Sequence, residues 1–404
     1  MQAAFVFDAA RTPRGRGKPG AGSLQEVAPV VLAAGVFRFL ADRNGLKGPE
    51  VEDVILGCVD PVGDQAGDVA RSAALAARLG DEVPGVQINR FCASGLEAVA
   101  MAAARVRAGD AQLVFAGGLE MMSRVGMGGS GMPVLTDPAL ALPLRAIPQG
   151  IAADLLATID GRSRAEVDAF AAESHRRAAA AWTDGRFQRS VVPVRDGLGL
   201  TILERDETIR PDVSEAGLLE LEPAFAAMAR LAGFDAVAIQ RYPGVERISH
   251  VHHAGNSSQI ADGAAAVILG SEAAALEHGL TPRGRILSSV TVGSEPTIML
   301  TGPVEACRRA LAKAGLSVAD VDVWEVNEAF ASVVLHVVSQ LGLDQERVNP
   351  NGGAIAMGHP LGATGAMLLG TLLDELERSG GRYGVATLCA ASGQAIAMVL
   401  ERMP

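Results

Sequence analysis

Val51-Glu52-Asp53-Val54-Ile55-Leu56-Gly57-Cys58, preceded by the turn Gly45-Leu46, is answered near the other end of the chain by Val321-Asp322-Val323-Trp324-Glu325-Val326-Asn327, preceded by Gly315-Leu316 at the same spacing. Each stretch reads as a helix end, a turn and a buried strand. The match continues downstream. Cys92 opens a helical stretch, Leu96 to Arg107, which leads through Gly109-Asp110 to the strand Leu113-Val114-Phe115-Ala116. The turn around His359 opens a helix from Gly365 through Leu373, which leads through Gly380-Gly381 to Val385-Ala386-Thr387-Leu388. A plan stated twice in one chain indicates an internal duplication. Short apolar strands alternating with helices place the protein in the α/β class, with mainly parallel sheets covered by helices on both faces. Duplication sets two such sheets side by side, and loops beyond the strand ends of both halves then meet at one cleft.

Between the copies the sequence changes character. Residues 124 to 148 are rich in Gly, Met and Pro, and Arg164 to Trp182 reads as an amphipathic, alanine-rich helix. A core pattern resumes near Ile248, and Asp262-Gly263-Ala264-Ala265-Ala266-Val267-Ile268 reads as a turn into a buried strand. The resulting division gives residues 1–118 and 251–275 to the first half, 276–404 to the second, and 119–250 to an inserted cap over the cleft.

With 404 residues and 49% hydrophobic content, the chain can bury a large core. Its four cysteines, Cys58, Cys92, Cys307 and Cys389, lack the close spacing of zinc or redox motifs, so a reducing compartment, the cytoplasm, is expected. A net charge of −11 argues against an extended contact with nucleic acid, which needs clustered cations. Met1 runs directly into strand-like sequence with no leader pattern, and apolar stretches are broken before the length of a bilayer, so no membrane partner is expected.

Three side chains with useful chemistry fall at predicted junctions. Asn89-Arg90-Phe91-Cys92-Ala93-Ser94-Gly95 is a strand ending in a small-residue turn before a helix, where the helix N-terminus favours thiolate over thiol. His359 lies in Asn351-Gly352-Gly353-Ala354-Ile355-Ala356-Met357-Gly358-His359-Pro360-Leu361-Gly362-Ala363-Thr364-Gly365, whose glycines imply special dihedrals and a close approach to something. Pro360 fixes the chain just after the imidazole, which suits proton transfer. Cys389 ends the last strand ahead of Ala390-Ala391-Ser392-Gly393, where a thiol can act as acid and base toward a carbanion. Asn327-Glu328-Ala329-Phe330 reads either as a helix cap or as an amide that positions a water or an oxyanion.

In order and spacing, Cys92-Ala93-Ser94-Gly95, Gly117-Gly118-Leu119-Glu120-Met121-Met122-Ser123, Ala254-Gly255-Asn256-Ser257-Ser258, Asp262-Gly263-Ala264-Ala265, Asn327-Glu328-Ala329-Phe330, Gly358-His359-Pro360 and Cys389 together resemble the thiolase family over essentially the full length. The resemblance implies a duplicated fold of two mixed β-sheets in α-β-α-β-α layers with an inserted loop domain. It implies acyl-CoA:acetyl-CoA C-acyltransferase activity: His359 accepts the Cys92 proton, the thiolate attacks the 3-keto carbon, Cys389 protonates the departing enolate, and CoA releases the acyl-enzyme. One oxyanion hole holds the backbone N–H groups of Cys92 and Ala391; the other uses His359 and a water held by Asn327. Ser258 matches a position that contacts pantetheine. Acyl-CoA and CoA are the partners, coenzyme A being a substrate; no metal or tightly bound cofactor is needed, and a homodimer or homotetramer is expected.

Two departures stand out. Ala391-Ser392-Gly393 replaces three glycines, and Gln149-Gly150-Ile151-Ala152-Ala153-Asp154 replaces Met-Gly-x-Thr-Ala-Glu, which puts Gln149 where the family has a methionine near the acyl pocket. Two other readings fit parts of the pattern. A ketoacyl-synthase-type condensing enzyme shares the duplicated fold but uses other residues in place of the second cysteine. A thiolase-shaped CoA-ester binding protein would account for the changes at 149 and after Cys389.

Overall fold

The computed structural model describes residues 2–404. Its strands are β1 (Phe5–Arg11), β2 (Gly15–Arg16), β3 (Asp53–Gly57), β4 (Gly85–Ile88), β5 (Leu113–Met121) and the small hairpin β6 (Val194–Arg195) with β7 (Thr201–Leu203). They continue as β8 (Ala261–Gly270), β9 (Gly284–Gly293), β10 (Val323–Val326), β11 (Tyr383–Ala390) and β12 (Gln394–Arg402).

The duplication is visible in the strand order. The first half runs β4-β3-β5-β8-β1, and the second runs β10-β11-β12-β9. Parallel pairing joins β3 to β4 and to β5, as it joins β10 to β11. Antiparallel pairing then carries β5 to β8 to β1, as it carries β11 to β12 to β9. The place of β4 is taken in the second half by a single parallel bridge, Trp324 to Val348. The two arrays touch at their β1 and β9 edges through two residue pairs, Phe5 with Arg285 and Val6 with Gly284, so the sheets form one continuous path.

Strands covered on both faces need apolar side chains at successive positions rather than alternate ones. β3, β5 and β8 are buried along their whole lengths. Each fully buried Val, Leu or Ile there contributes roughly 1.5–3 kcal/mol. The helices Ser94–Ala108 and Thr364–Ser379 pack on each other and on strands of both halves, which makes them the middle layer. Leu96, Val99, Met367 and Leu372 from these helices share one core with Ile55, Ala116, Leu388 and Ile396 from the sheets. Pro29–Arg43 and Val69–Ala76 cover the outer face of the first half, and Gly302–Ala314 that of the second.

Glycines make the middle layer possible. A Cβ on Gly95 or Gly118 would stand 2.6 Å or 1.8 Å from the Gly362 carbonyl oxygen, and one on Gly365 would stand 2.2 Å from the Leu96 nitrogen. The starts of the two helices therefore interlock backbone to backbone.

The segment between the halves folds into short helices around two longer ones, Gln149–Ile159 and Arg164–Thr183. A capping box fixes the start of the latter: Ser163 Oγ accepts from the Glu166 N–H at 3.2 Å, and Glu166 Oε2 accepts from the Ser163 N–H at 2.8 Å. Contrary to the reading that no apolar run is long enough to span a bilayer, Pro138–Ile159 is long and apolar enough. The chain turns within it, because Arg145 takes a left-handed φ of 49° between Pro138–Leu144 and Gln149–Ile159, and half of the run is packed inside the fold.

Candidate active site

Cys92 stands at an elbow between β4 and the helix Ser94–Ala108. Phe91 before it takes φ 48°, a left-handed conformation that costs a bulky L-residue about 1–2 kcal/mol. Side chains hold the elbow in place. Asn89 Oδ1 accepts from the Phe91 N–H at 2.8 Å, while Ser94 Oγ accepts from the Arg90 N–H at 2.8 Å and donates to the Phe91 carbonyl at 2.6 Å. The Cys92 sulfur lies within reach of its own N–H and that of Ala391.

Burial outweighs the pull of the helix end. The Cys92 thiol is pushed up to about 12 by desolvation, with Glu120 adding to the rise and the two N–H groups opposing it. The backbone donors at the helix start pull toward the thiolate, as expected, but burial is the larger effect in the unliganded site, and Cys92 rests as a neutral thiol.

His359 follows Gly358, whose φ of 103° and contact with Ala261 leave no room for a side chain. The imidazole is 3% exposed and is lowered to about 3 by burial and then by the Arg14 guanidinium, so it is neutral. Its tautomer follows from the hydrogen bonds. The single proton of the Thr364 hydroxyl goes to the Pro360 carbonyl at 2.9 Å, so Thr364 Oγ1, 2.6 Å from His359 Nδ1, accepts the Nδ1 proton. Nε2 is left unprotonated, and its lone pair accepts from Asn327 Nδ2–H at 3.3 Å. Thr364 was part of the quoted histidine stretch but carried no signal of its own; its place one helical turn after Pro360 is the cue that identifies it.

Asn327 caps no helix, since the next one begins at Ala331. Its neighbour Glu328 anchors the loop, accepting from Ser174 Oγ at 2.7 Å, the Ile355 N–H at 3.1 Å and Asn349 Nδ2 at 3.0 Å. A Cβ at Gly353 would strike that carboxylate at 2.2 Å, which explains one glycine of the histidine loop. The segment holding Ser258 lies between both loops. Ser258 N–H donates to the Ala329 carbonyl at 2.9 Å, and His359 N–H donates to the Gln259 carbonyl at 2.8 Å. Ser258 itself is half-buried.

Cys389 is the last residue but one of β11, and the tight turn from Ala390 to β12 presents Ala391. Burial raises the Cys389 thiol, and the nearby Cys92 sulfur raises it further, because two thiolates repel. Cys389 shares an apolar cluster with Phe330, Met299, Ile147 and Ile151. Ala391 is not left-handed, so its methyl is tolerated and the N–H donor survives, whereas Ser392 holds φ 59° where glycine carries no penalty. Gln149 starts the helix Gln149–Ile159, half-buried, with Nε2 buried and unpartnered among the described residues.

Glu120 belongs to a stretch that carries the family resemblance, but the sequence assigned it no role of its own. It is 1% exposed and accepts from the N–H groups of Val59 (2.9 Å), Asp60 (3.2 Å) and Gly362 (2.9 Å) and from Gln65 Nε2 (2.9 Å). It therefore ties the first half to the histidine loop of the second. A separate cavity of about 290 Å³ between Arg164–Thr183 and Ala331–Leu341 has Glu328 and Asn349 in its lining, and neither cysteine.

Comparison with known proteins adds an independent line. Residues 4–233 match the family described as "Thiolase, N-terminal domain", and residues 280–402 match "Thiolase, C-terminal domain". A 3-ketoacyl-CoA thiolase of Cronobacter sakazakii is 40% identical over 410 residues, covering all of both chains. One of Salmonella typhimurium is 40% identical over 411 residues, with the same coverage. The crystal structure of the Bacillus anthracis acetyl-CoA acetyltransferase superposes with a TM-score of 0.86 at 35% identity, covering 100% of this chain and 99% of that one.

Proposed function

The chain belongs to the thiolase family, and from that premise we propose that it cleaves 3-ketoacyl-CoA with free CoA, or runs the reverse Claisen condensation, through an acyl-enzyme on Cys92. The observation that carries this reading is that the Cys92 sulfur, at the start of the helix Ser94–Ala108, lies near Cys389 of the second half and near the N–H groups of Cys92 and Ala391.

The resting site is a neutral pair, thiol and imidazole, which a desolvated pocket tolerates better than an ion pair. His359 Nε2 takes the Cys92 proton as the sulfur attacks the 3-keto carbon. The developing oxyanion is met by the two backbone donors, which need no reorganisation. When the bond between the α and β carbons breaks, the acetyl-CoA enolate takes a proton from Cys389, and the imidazolium with a water held by Asn327 stabilises its oxygen. The His359 imidazolium returns its proton to the Cys389 thiolate, then takes the thiol proton of CoA as CoA attacks the thioester and hands it to the leaving Cys92 sulfur, so the shortened acyl-CoA departs and all three groups are back in their resting forms. Coenzyme A acts throughout as substrate, and we assign no metal or bound cofactor a role.

We assign Ser258 the pantetheine contact; its half-buried position between the Asn327 and His359 loops is in keeping with that role. The apolar cluster of Phe330, Met299, Ile147 and Ile151 beside Cys389 supports a hydrocarbon acyl group, with Gln149 offering a polar donor at its edge. We place the enzyme in the cytoplasm, acting on soluble CoA esters, with four reduced, buried cysteines in support. A homo-oligomer is favoured because β4 ends the sheet with an open edge and Val86 41% exposed. The decisive test is intact mass after exposure to a 3-ketoacyl-CoA without free CoA. An acyl adduct on the wild type that is missing from Cys92→Ala supports the proposal, and an equal adduct on both refutes it.

A further inference from the structure

The two backbone donors at the Cys92 sulfur come from different halves of the duplicated fold, Cys92 from the first and Ala391 from the second. Each is presented by a turn containing a left-handed non-glycine residue, Phe91 at φ 48° and Ser392 at φ 59°. Neither turn is at rest in isolation, so something must hold them in register. Arg90 lies two residues before Cys92, and Gln394 three after Ala391. Arg90 Nη1 donates to Gln394 Oε1 at 3.2 Å, and Arg90 Nη2 to Glu97 Oε1 at 3.2 Å. Glu97, on the helix that Cys92 precedes, accepts in turn from Thr291 Oγ1 of β9 at 2.9 Å. Two bonds thus cross between the halves, Arg90 to Gln394 and Thr291 to Glu97, with the planar guanidinium as the bridge. On the far side of the same turn, the Ser294 N–H and Oγ both donate to the Gly393 carbonyl, at 2.5 Å and 3.2 Å.

We propose that Arg90, with Gln394, is a positioning residue for the thiolase reaction: a clasp between the halves that sets the spacing of the Cys92 and Ala391 N–H groups around the reacting oxygen.

The proposal rests on the thiolase reading, and a readout that needs no turnover separates the two. Gln394→Met keeps the bulk and removes the acceptor; Arg90→Lys keeps the charge beside Glu97 but cannot fork to two partners. For either variant we expect kcat to fall roughly 10- to 100-fold with KM nearly unchanged, because misplaced donors act on the transition state. The double variant should be little worse than either single one, since both remove the same contact. Alkylation of Cys92 by iodoacetamide, followed by mass at several pH values, should be slower in the variants at each pH, since weaker N–H donation disfavours the thiolate. Circular dichroism and thermal unfolding identify any variant that is simply unfolded, and Thr291→Val, which cuts the other arm, serves in its place. Wild-type kcat and wild-type alkylation rates in folded Gln394→Met would overturn the clasp. A wild-type protein that forms no acyl adduct would overturn the thiolase reading and leave the alkylation comparison to decide the clasp.

Discussion

Replacing Thr364 by valine removes one oxygen 2.6 Å from His359 Nδ1 and nearly preserves the volume. Thr364 is fully buried, so no solvent replaces the lost acceptor. The Nδ1 proton then has no partner, and leaving a buried donor unsatisfied costs ~1–3 kcal/mol. The imidazole escapes part of that cost by moving its proton to Nε2, where it faces Asn327 Nδ2, itself a donor, and where the lone pair needed for the Cys92 proton is gone. Whichever form wins, the productive tautomer is disfavoured by up to that amount. At 1.36 kcal/mol per tenfold, acylation slows by about 5- to 150-fold.

Single-turnover acylation with 3-ketoacyl-CoA isolates this step from thiolysis, and nitrogen NMR of labelled histidine reports the tautomer directly. Thr364→Ser keeps Oγ and should restore most of the rate. A Thr364→Val enzyme with unchanged acylation and an unchanged Nδ1–H signal would refute the tautomer assignment and, with it, the role of Nε2 as the base.

Three further outcomes follow from the buried charges. Since His359 is neutral above about 3 and Cys92 is a thiol below about 12, kcat/KM should be level through the neutral range; a limb near pH 6.5 moving with His359 would contradict the neutral pair. His175, lowered to about 4 mainly by burial, contributes stability that is fully present above its unfolded value of about 6.5 and is lost as the pH falls toward 4. Urea unfolding of His175→Gln should therefore show a pH slope shallower by about 1.4 kcal/mol per unit in that window. Glu120→Gln turns one accepting oxygen into a donor and orphans two of the groups it serves, so it should lower unfolding free energy by about 2–5 kcal/mol, and a loss below 1 would show that the site relaxes.

The duplication was legible because each copy repeats a turn, a buried strand and a glycine at matching intervals, and such patterns survive without any knowledge of partners. Helix ends were less legible. Leu96 to Arg107 became Ser94–Ala108, and Gly365 through Leu373 became Thr364–Ser379, because an end depends on which backbone groups find a partner nearby. Cys92, His359, Cys389 and Asn327 could be singled out from residue type and from turns. Thr364, Arg14 and Glu120 could not, since each matters through a neighbour hundreds of residues away or one helical turn along. Nor can a sequence weigh burial against a helix end, and at Cys92 burial is the larger of the two.

The glycines of the histidine stretch were readable as a sign of close approach but not of what approaches. Near a nucleophile the natural candidate is substrate. The structure gives another answer for Gly95, Gly118, Gly362 and Gly365: their missing side chains make room for the backbone of the opposite half. This changes the meaning of the motif. A cleft that needs a donor from each half, a thiol from each half and an imidazole from the second works only if the halves approach to within a few ångströms at that point. Small residues there set the distance between the halves, Glu120 fastens the approach by accepting from Val59, Asp60 and Gly362 together, and Thr364 sits on the first turn of the helix so placed. The chemistry of the site and the packing of the middle layer are in this sense one constraint, met by one set of residues.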